Sequence, residues 1–198
     1  MKAVFWKNRK ITVFDSVYEP SEDSFLLAKS IKEGHWKKAL DLGTGTGIQG
    51  INAALLGAKN VLCTDASRKA LRNAEENVKS ACLKAVFEFR KGNLFSGIGK
   101  EEKFGLIIFN PPYVESEKAK WRDLDGGKKG REVIDRFLEQ FPKHLEKEGE
   151  CFFLQSSLNG IKETENALRK AGLQFKIKAR KRLFFEELLV FRVWKGKK

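Results

Sequence analysis

The chain has 198 residues, 41% of them hydrophobic, which is enough for one domain, residues 1–198, around one sizeable core. No apolar run approaches the roughly 20 residues of a membrane span, and the N-terminal stretch MKAVFWKNRK has no apolar signal core, so we predict a cytoplasmic protein without membrane contact. Lysine and arginine exceed aspartate and glutamate by 39 to 26. The net charge of +13 fits a nucleic-acid or ribosome contact, and it equally fits a heat-adapted surface on which both signs are interspersed.

The predicted elements begin with a β-hairpin at residues 3–14 and a helix from Ser21, the candidate N-cap, to about Gly34. Strands and helices then alternate: strand 38–43, helix 47–57, strand 60–66, helix 67–80, strands 85–89 and 104–109, helix 130–147, strand 150–156 and helix 160–171. The last two strands, 173–184 and 186–195, have no helix between them and form an antiparallel hairpin. This order predicts an α/β fold with a seven-stranded, mostly parallel sheet that ends in an antiparallel hairpin.

The cysteine and histidine residues do not indicate a metal site or a disulfide. Cys63, Cys82 and Cys151 are scattered without a CxxC spacing, and Cys63 and Cys151 lie in apolar, strand-like runs. We therefore predict that these two are buried free thiols. His35 and His144 lie in polar surroundings near predicted helix ends, and we predict that both are surface residues.

A glycine-rich turn, in ALDLGTGTGIQGI, follows the first parallel strand. Gly43, Gly45 and Gly47 permit a tight turn and a close approach of a ligand to the backbone, and the helix N-terminus that follows can receive an anionic or polar group. Taken alone, this turn leaves nucleotide binding, dinucleotide binding and plain tight packing open.

Two aspartates narrow the choice of ligand. Asp65 ends the second parallel strand, 18 residues after Gly47, where a carboxylate can accept both hydroxyls of a ribose in NAD and in S-adenosylmethionine alike. Asp41 belongs to the pattern D-x-G-x-G-x-G, which is more typical of methyltransferases than of dehydrogenases. An acidic side chain at Asp41 can also meet the methionine ammonium, a group that NAD does not have.

The stretch FNPPYV, residues 109–114, places two prolines at the end of a buried strand. Residues before proline are pushed toward extended geometry, so Asn110 and Pro111 form a stiff segment. Because neither Pro111 nor Pro112 has a backbone N–H, the segment offers acceptors, the Asn110 side-chain oxygen and the Pro111 carbonyl, beside the flat face of Tyr113. Two acceptors suit a planar –NH2 group and favour positive charge on its nitrogen as it attacks a methyl group.

Four motifs in order carry a resemblance to a known family. DLGTGTG followed by NPPY resembles the amino-methyltransferases that act on glutamine amides, adenine N6 or related nitrogens. The segments VYEPSEDSFLL (17–27) and DGGKKGREVIDRF (125–137) look like signatures of the single-domain HemK-like protein glutamine N5-methyltransferases of the eukaryotic and archaeal branch. The resemblance covers about residue 11 to the C-terminus and implies a Rossmann-like class I S-adenosylmethionine-dependent methyltransferase, preceded by the short N-terminal hairpin. It further implies methylation of the glutamine in the GGQ motif of a class I release factor.

The resemblance also implies roles for individual residues. Ser24, Asp41, Gly43, Gly45 and Gly47 would surround the methionine part of the cofactor S-adenosylmethionine, Asp65 the ribose, and Asn93 and Leu94 the adenine. The catalytic and amide-binding site would consist of Asn110, Pro111, Pro112, Tyr113 and Val114, with Asn110 also touching the cofactor. Asn93 departs from the family, in which Asp is usual, and its amide oxygen still accepts a hydrogen bond.

Three activities remain open at this stage. The first is a glutamine methyltransferase acting on a release factor, the second an adenine-N6 methyltransferase acting on DNA or RNA, and the third a catalytically silent cofactor-binding scaffold. Cations just past the NPPY motif favour the second: Lys118, Lys120, Arg122, Lys128, Lys129 and Arg131. The absence of a separate target-recognition domain disfavours it. Larger HemK enzymes carry an N-terminal substrate domain, so here substrate choice is expected from residues 1–20 and the loop 114–130.

The strand 85–89, AVFEF, is predicted to lie at the edge of the sheet. Phe87 and Phe89 would point to one face, and Val86 and Glu88 to the other. An apolar edge strand offers unpaired backbone groups to another chain. The family resemblance implies the same, because its members commonly pair with a small zinc-binding activator protein.

Overall fold

The computed structural model describes residues 2–114, 126–127 and 130–196. Its regular elements, in chain order, are β1 (Lys2–Trp6), β2 (Arg9–Val13), α1 (Glu22–Ser30), β3 (Lys38–Leu42), α2 (Ile48–Leu55), β4 (Asn60–Asp65), α3 (Arg68–Ala81), β5 (Val86–Lys91), β6 (Phe104–Phe109), α4 (Glu132–His144), β7 (Leu145–Ser156), α5 (Ile161–Lys170), β8 (Leu173–Arg182) and β9 (Glu187–Lys195). Short 3₁₀ turns follow β5, at Leu94–Gly97, and β7, at Ser157–Asn159.

Seven strands form one sheet in the order β5-β4-β3-β6-β7-β9-β8. The strands from β5 to β7 pair in parallel, whereas β9 runs antiparallel to β7 and β8 antiparallel to β9. The predicted α/β fold, a mostly parallel sheet with a C-terminal antiparallel hairpin, is therefore confirmed. The order reverses between β3 and β6, and the crevice at the carboxyl ends of the strands lies at that reversal.

Both faces of the sheet are covered, and β6 at its centre is buried at every position. On one face the core includes residues of α4, and Phe137 packs against the rings of Phe109, Phe141 and Phe153. On the other face the core includes residues of α1 and α2. Cys63 and Cys151 are buried free thiols, as predicted. This double cover explains why the central strands have almost uninterrupted apolar sequences.

Two helix ends and one histidine differ from prediction. Helix α1 ends at Ser30, before the predicted Gly34, because Ile31 is extended and buried. Helix α4 ends at His144 and β7 begins at once, with Leu145 paired to Phe104.

His144 is buried, which contradicts its predicted place on the surface. Its ring stacks on Phe95 with centroids 4.8 Å apart, and its Nδ1 atom lies 2.8 Å from the carbonyl oxygen of Glu102. The polar sequence around it did not indicate this contact. The other histidine, His35, is exposed as predicted.

The N-terminal hairpin of β1 and β2 packs against α2 and α3. Asn77 Oδ1 accepts a hydrogen bond from the backbone N–H of Thr12 at 2.9 Å, and Asn77 Nδ2 donates to the carbonyls of Thr12 and Thr46. Trp6 Nε1 donates to Asn52 Oδ1 on α2 at 3.1 Å. Asn77 thereby ties the hairpin to the glycine-rich turn. Within the part of the chain that the structure describes, no helix has the length and apolar character needed to cross a membrane.

Candidate active site

A cavity of about 610 Å³ opens at the carboxyl ends of β3, β4 and β6, where the strand order reverses. Its walls come from the glycine-rich turn, the ends of β4 and β5, the NPPY segment and the start of α1. The lining residues are Tyr18, Pro20, Asp23, Ser24, Leu42, Gly43, Thr44, Gly45, Thr46, Ile48, Gln49, Asp65, Ala66, Ser67, Ala70, Gly92, Asn93, Leu94, Phe109, Asn110, Pro111, Pro112, Tyr113, Val133 and Arg136. The sequence motifs thus converge on one site.

The glycine-rich turn needs glycine for two reasons. Gly43, Gly45 and Gly47 all have positive φ, at 65°, 54° and 84°. At Gly47 a Cβ would also lie 3.1 Å from Cα of Ala74, so the turn can approach α3 this closely only without a side chain. Gly43 and Gly45 line the cavity and leave its backbone accessible, whereas Gly47 lies behind them as the N-cap of α2.

Asp65 is held in a fixed position at the end of β4. Its Oδ2 accepts from the backbone N–H of Gly45 at 3.0 Å, and its Oδ1 accepts from that of Ser67 at 2.8 Å. These bonds join the glycine-rich turn to the start of α3. A carboxylate at this place on the cavity wall has the chemistry for binding ribose hydroxyls, as the sequence predicts.

Asp41 does not line the cavity, although it lies in the strand that leads to it. Its Oδ2 accepts from the Thr44 hydroxyl at 2.6 Å and from the Gly50 backbone N–H at 2.8 Å. Burial raises the pKa of Asp41 to about 7, against the effect of these two hydrogen bonds, and the nearby Asp65 raises it further. The arrangement indicates that Asp41 fixes the turn from behind. Direct contact of Asp41 with a methionine ammonium, inferred from the sequence pattern, stays a prediction.

A different carboxylate, Asp23 in the first turn of α1, lines the cavity, and the sequence analysis did not assign it to the site. Asp23 is buried, and its Oδ2 accepts from the hydroxyls of Tyr18 at 2.8 Å and Tyr113 at 3.4 Å and from Asn110 Nδ2 at 3.3 Å. Its Oδ1 accepts from the Ser24 hydroxyl at 3.1 Å. Asp23 therefore joins the start of α1 to the NPPY segment.

Two cavity-lining residues each have a buried side-chain oxygen without a partner among the described residues. Asn110 Oδ1 is buried and unpaired, while its Nδ2 makes long contacts to Asp23 and to Ser24 Oγ, the latter at 3.4 Å. Gln49 Oε1 is likewise buried and unpaired, and its Nε2 donates to the Ser24 carbonyl at 2.8 Å. Unpaired buried acceptors are uncommon in folded proteins, and where the residue lines a cavity, a ligand or a water molecule is the expected source of the missing donor.

Asn93 and Leu94 line the cavity beyond β5, and their contact with an adenine stays a prediction. The Asn93 backbone N–H donates to Ser96 Oγ at 2.8 Å, which closes the 3₁₀ turn. Leu94 has a φ of 51°, a conformation that costs energy for a residue with a branched side chain, and it is buried. Strained backbone of this kind is concentrated at functional sites.

Of the thirteen residues predicted for the site, ten line the cavity: Ser24, Gly43, Gly45, Asp65, Asn93, Leu94, Asn110, Pro111, Pro112 and Tyr113. Asp41, Gly47 and Val114 do not. The predictions missed seven polar lining residues: Tyr18, Asp23, Thr44, Thr46, Gln49, Ser67 and Arg136. Tyr18 and Asp23 lie inside VYEPSEDSFLL, so that motif contained a signal that was assigned to Ser24 alone.

Of the six cations listed after the NPPY motif, only Arg131 lies within the described residues, and it pairs with Asp135 at 2.6 Å.

Comparison with known proteins agrees with the interpretation of this site as that of a methyltransferase. Residues 12–184 match the family described as the methyltransferase small domain, and the chain belongs to that family. A Methanocaldococcus jannaschii protein, provisionally named protein N5-glutamine methyltransferase MJ0928, is 39% identical over 94% of this chain and 95% of its own length. Human methyltransferase HEMK2 is 30% identical, with 81% of each chain covered.

A solved structure is also similar, that of the Encephalitozoon cuniculi Mtq2–Trm112 complex, described as responsible for methylation of the eRF1 termination factor. Its matching chain has a TM-score of 0.70 and 26% identity, with 91% of this chain and 99% of that chain covered. The resemblance to HemK-like glutamine methyltransferases that the four motifs predicted is thereby confirmed.

Proposed function

We propose that this methyltransferase transfers a methyl group from S-adenosylmethionine to the side-chain amide nitrogen of a glutamine in the GGQ motif of a class I release factor. The observation that carries the proposal is that Asn110, whose side-chain Oδ1 is buried and unpaired among the described residues, lines the cavity. A planar –NH2 group is the donor that such an acceptor requires. Because Pro111 and Pro112 have no backbone N–H, the segment around Asn110 offers further acceptors and few competing donors.

The residues of the NPPY segment orient the glutamine amide. Asn110 Oδ1 accepts one N–H and the Pro111 carbonyl accepts the other, so the nitrogen lone pair is directed along the axis of methyl transfer. As the N–C bond forms and the methyl–sulfur bond of the sulfonium donor breaks, the positive charge passes from sulfur to nitrogen. The two acceptors stabilise this charge until one proton leaves the nitrogen for solvent. The Tyr113 ring forms one wall of this site.

Neither tyrosine near the amide site serves as a general base. Burial and the nearby Asp23 carboxylate raise the pKa of both Tyr18 and Tyr113 well above the usual value. Both phenols stay protonated at neutral pH and donate to Asp23. This suits a reaction that depends on positioning and on electrostatic stabilisation and needs no strong base.

The cavity also fits S-adenosylmethionine, which supplies an electrophilic methyl group when bound. Asp65 would hold the ribose, and the open backbone of Gly43 and Gly45 would allow close approach of the methionine part. Asn93 and Leu94 would contact the adenine. The unpaired Gln49 Oε1 supports this fit, because an amino acid group in this part of the cavity brings the donors that the oxygen lacks.

The release factor as substrate is supported by the similar proteins. The Mtq2–Trm112 complex methylates a termination factor, and the M. jannaschii relative carries the name of a glutamine methyltransferase. The loop 114–130 stays our proposed substrate loop, although residues 115–125 and 128–129 lie outside the described residues. The backbone N–H of Gly126 donates to the Val114 carbonyl at 2.8 Å, so the ends of this loop meet beside Tyr113. A release factor as substrate locates the reaction in the cytoplasm.

The test is methyl transfer from labelled S-adenosylmethionine to two substrates in parallel, the release factor of the same organism and its total RNA. We expect label on the release factor, on the glutamine of the GGQ motif, and none on RNA. The second candidate function, adenine-N6 methylation, is favoured by the net charge of +13. Label on adenine in RNA or DNA, with none on the release factor, would replace the proposal by that alternative.

We further propose that the outer edge of β5 binds a small zinc-binding activator protein, which would extend the sheet. Strand β5 is an edge strand, and Val86 on it is 66% exposed. Phe87 and Phe89 are half-buried against the enzyme's own core, so the partner would pair with the backbone and contact Val86. The presence of Trm112 in the similar complex supports this partner.

A further inference from the structure

Two turns beside the candidate site expose large apolar side chains. Phe184 and Phe185, at the tip of the hairpin between β8 and β9, are 91% and 84% exposed, and Leu158, on the 3₁₀ turn after β7, is 65% exposed. They are three of the five most exposed large apolar side chains in the part of the chain that the structure describes. The backbone N–H of Leu183 donates to the Glu186 carbonyl at 2.8 Å and closes the hairpin tip. Two phenylalanines exposed to water add no stability to this turn. Clustered apolar exposure of this kind marks an interaction surface.

Contacts on both turns connect them to Tyr113 of the NPPY segment. Asn159, next to Leu158 on the 3₁₀ turn, donates through Nδ2 to the Tyr113 carbonyl at 3.0 Å. The first residue of β9, Glu187, donates its backbone N–H to Ser157 Oγ at 2.9 Å, which joins the hairpin to the same turn. The charge of Glu186, in the hairpin tip, also contributes to the raised pKa of Tyr113, after burial and the charge of Asp23. The exposed side chains therefore stand at the rim of the amide site.

We propose that Leu158, Phe184 and Phe185 form a docking surface, the rim patch, for the folded protein whose glutamine enters the cavity. This inference rests on the proposed function, since it names where the protein substrate binds. A cavity of about 610 Å³ holds a cofactor and one side chain, so the rest of a protein substrate must lie on the rim. Aromatic side chains that become buried at the centre of an interface contribute most of its affinity.

The charges and ring geometry near the rim patch favour a protein over a nucleic acid. Arg180 pairs with Glu187 at 2.7 Å and Lys181 pairs with Glu22 at 2.7 Å, so two of the three cations at the end of β8 are engaged within the enzyme, and one, Arg182, is exposed without an ion pair among the described residues. Nucleic-acid binding depends on cations that are available to phosphates. The rings of Phe184 and Phe185 pack edge to face at 82°, which does not present the parallel faces that consecutive stacked bases use.

The experiment compares the wild type with the double variant Phe184→Ser, Phe185→Ser on two substrates, the intact release factor and a short peptide that contains its GGQ motif. The control is Cys82→Ser, because Cys82 is exposed at the C-terminal end of α3, outside the residues assigned to substrate, cofactor or partner. We expect the double variant to raise KM for the intact factor at least about tenfold, the scale of losing a central aromatic contact. Its kcat, its KM for the peptide and its melting temperature should match those of the wild type and of Cys82→Ser.

Three other outcomes would contradict the rim-patch proposal, and they distinguish its failure from a failure of the proposed function. If the wild type labels the release factor but the double variant keeps its KM, the rim patch does not dock the substrate and the proposed function stands. If the wild type does not methylate the release factor, the proposed function is wrong, and so is the proposal that the rim patch binds this protein. If the double variant loses binding of a fluorescent single-stranded RNA while KM for the factor is unchanged, the patch is an RNA contact.

Discussion

Replacement of Asn110 by alanine separates catalysis from folding at the candidate site. The substitution removes the unpaired Oδ1, the acceptor that would position the glutamine amide. Loss of one positioned group of this kind lowers kcat by about 10²–10³-fold, or ~2.7–4 kcal/mol of transition-state stabilisation. Cofactor affinity should stay within about twofold, because the hydrogen bonds that the Asn110 side chain makes toward α1 are long, at 3.3 Å to Asp23 and 3.4 Å to Ser24.

The same substitution should leave the free energy of unfolding nearly unchanged. A buried acceptor without a partner costs about 1–3 kcal/mol, and Asn110→Ala relieves that cost while it removes two weak hydrogen bonds. The two effects have opposite signs, so we expect a net change within about 1 kcal/mol. This prediction is specific to an unpaired acceptor, because an ordinary buried asparagine loses stability when it is truncated.

Asn52 provides the matched control. It is fully buried on α2, accepts from Trp6 Nε1 at 3.1 Å and donates to the Ala28 carbonyl at 3.0 Å, away from the cavity lining. Asn52→Ala leaves both partners unpaired and should cost about 2–3 kcal/mol, a fall of roughly 5–10 °C in Tm. Turnover of the folded protein should be unchanged.

The assays are single-turnover methyl transfer, calorimetric cofactor binding and thermal unfolding on all three proteins. Wild-type turnover in Asn110→Ala would refute the assignment of Oδ1 as the amide acceptor. Abolished cofactor binding in that variant would show that Asn110 belongs to the cofactor site instead.

Three further predictions address the cofactor, the pH and the partner. Asp65→Ala should raise the cofactor Kd by about 10–100-fold through loss of charge-assisted hydrogen bonds, and an unchanged Kd in calorimetry would make Asp65 a structural strand end only. The folded state raises the pKa of Asp41 from 3.8 to about 7. Folding therefore favours the protonated form of Asp41. The contribution of Asp41 to the free energy of unfolding is fully present below about pH 4 and is lost as the pH rises through 7, a decrease of up to about 4 kcal/mol. Denaturant unfolding of the wild type relative to Asp41→Asn should show this fall, and parallel pH profiles would contradict it. Val86→Lys should prevent co-elution with the activator on a sizing column and leave Tm unchanged. Phe87→Lys should also lower Tm, because the Phe87 ring packs on the core. A Val86→Lys variant that still co-elutes would exclude the outer edge of β5 as the binding site of the activator.

The topology could be predicted from sequence because its signals are local and repeated. Apolar runs alternate with helical patterns from Lys38 onward, and two strands without an intervening helix must pair antiparallel. The limits of α1 and α4 could not be predicted as well, because tertiary contacts fix them. Ile31 leaves the helix for a buried extended position, and Leu145 pairs with Phe104 at once after α4.

Site residues that act through the backbone could be predicted from the sequence. Residues whose role depends on the direction of the side chain could not. Glycine and proline act through the backbone, and Gly43, Gly45 and Pro111 line the cavity, whereas their contacts with a ligand stay a prediction. Asp41 and Asp23 depend on rotamers and on neighbours distant in sequence. Thr44 and Gly50 turn the first carboxylate away from the cavity, and contacts with the NPPY segment hold the second at it.

The charge at the cavity differs in sign from the charge of the whole chain. Among the described lining residues the charged side chains are Asp23, Asp65 and Arg136, so carboxylates outnumber cations although the net charge is +13. A dinucleotide would bring a pyrophosphate to this wall, where the two carboxylates repel it, whereas a ligand with sulfonium and ammonium groups is attracted. Both ligands share the ribose contact at Asp65, so the second carboxylate, Asp23, is what favours S-adenosylmethionine electrostatically. The excess of lysine and arginine lies outside this lining, and it therefore bears on partners at the surface and not on the cofactor.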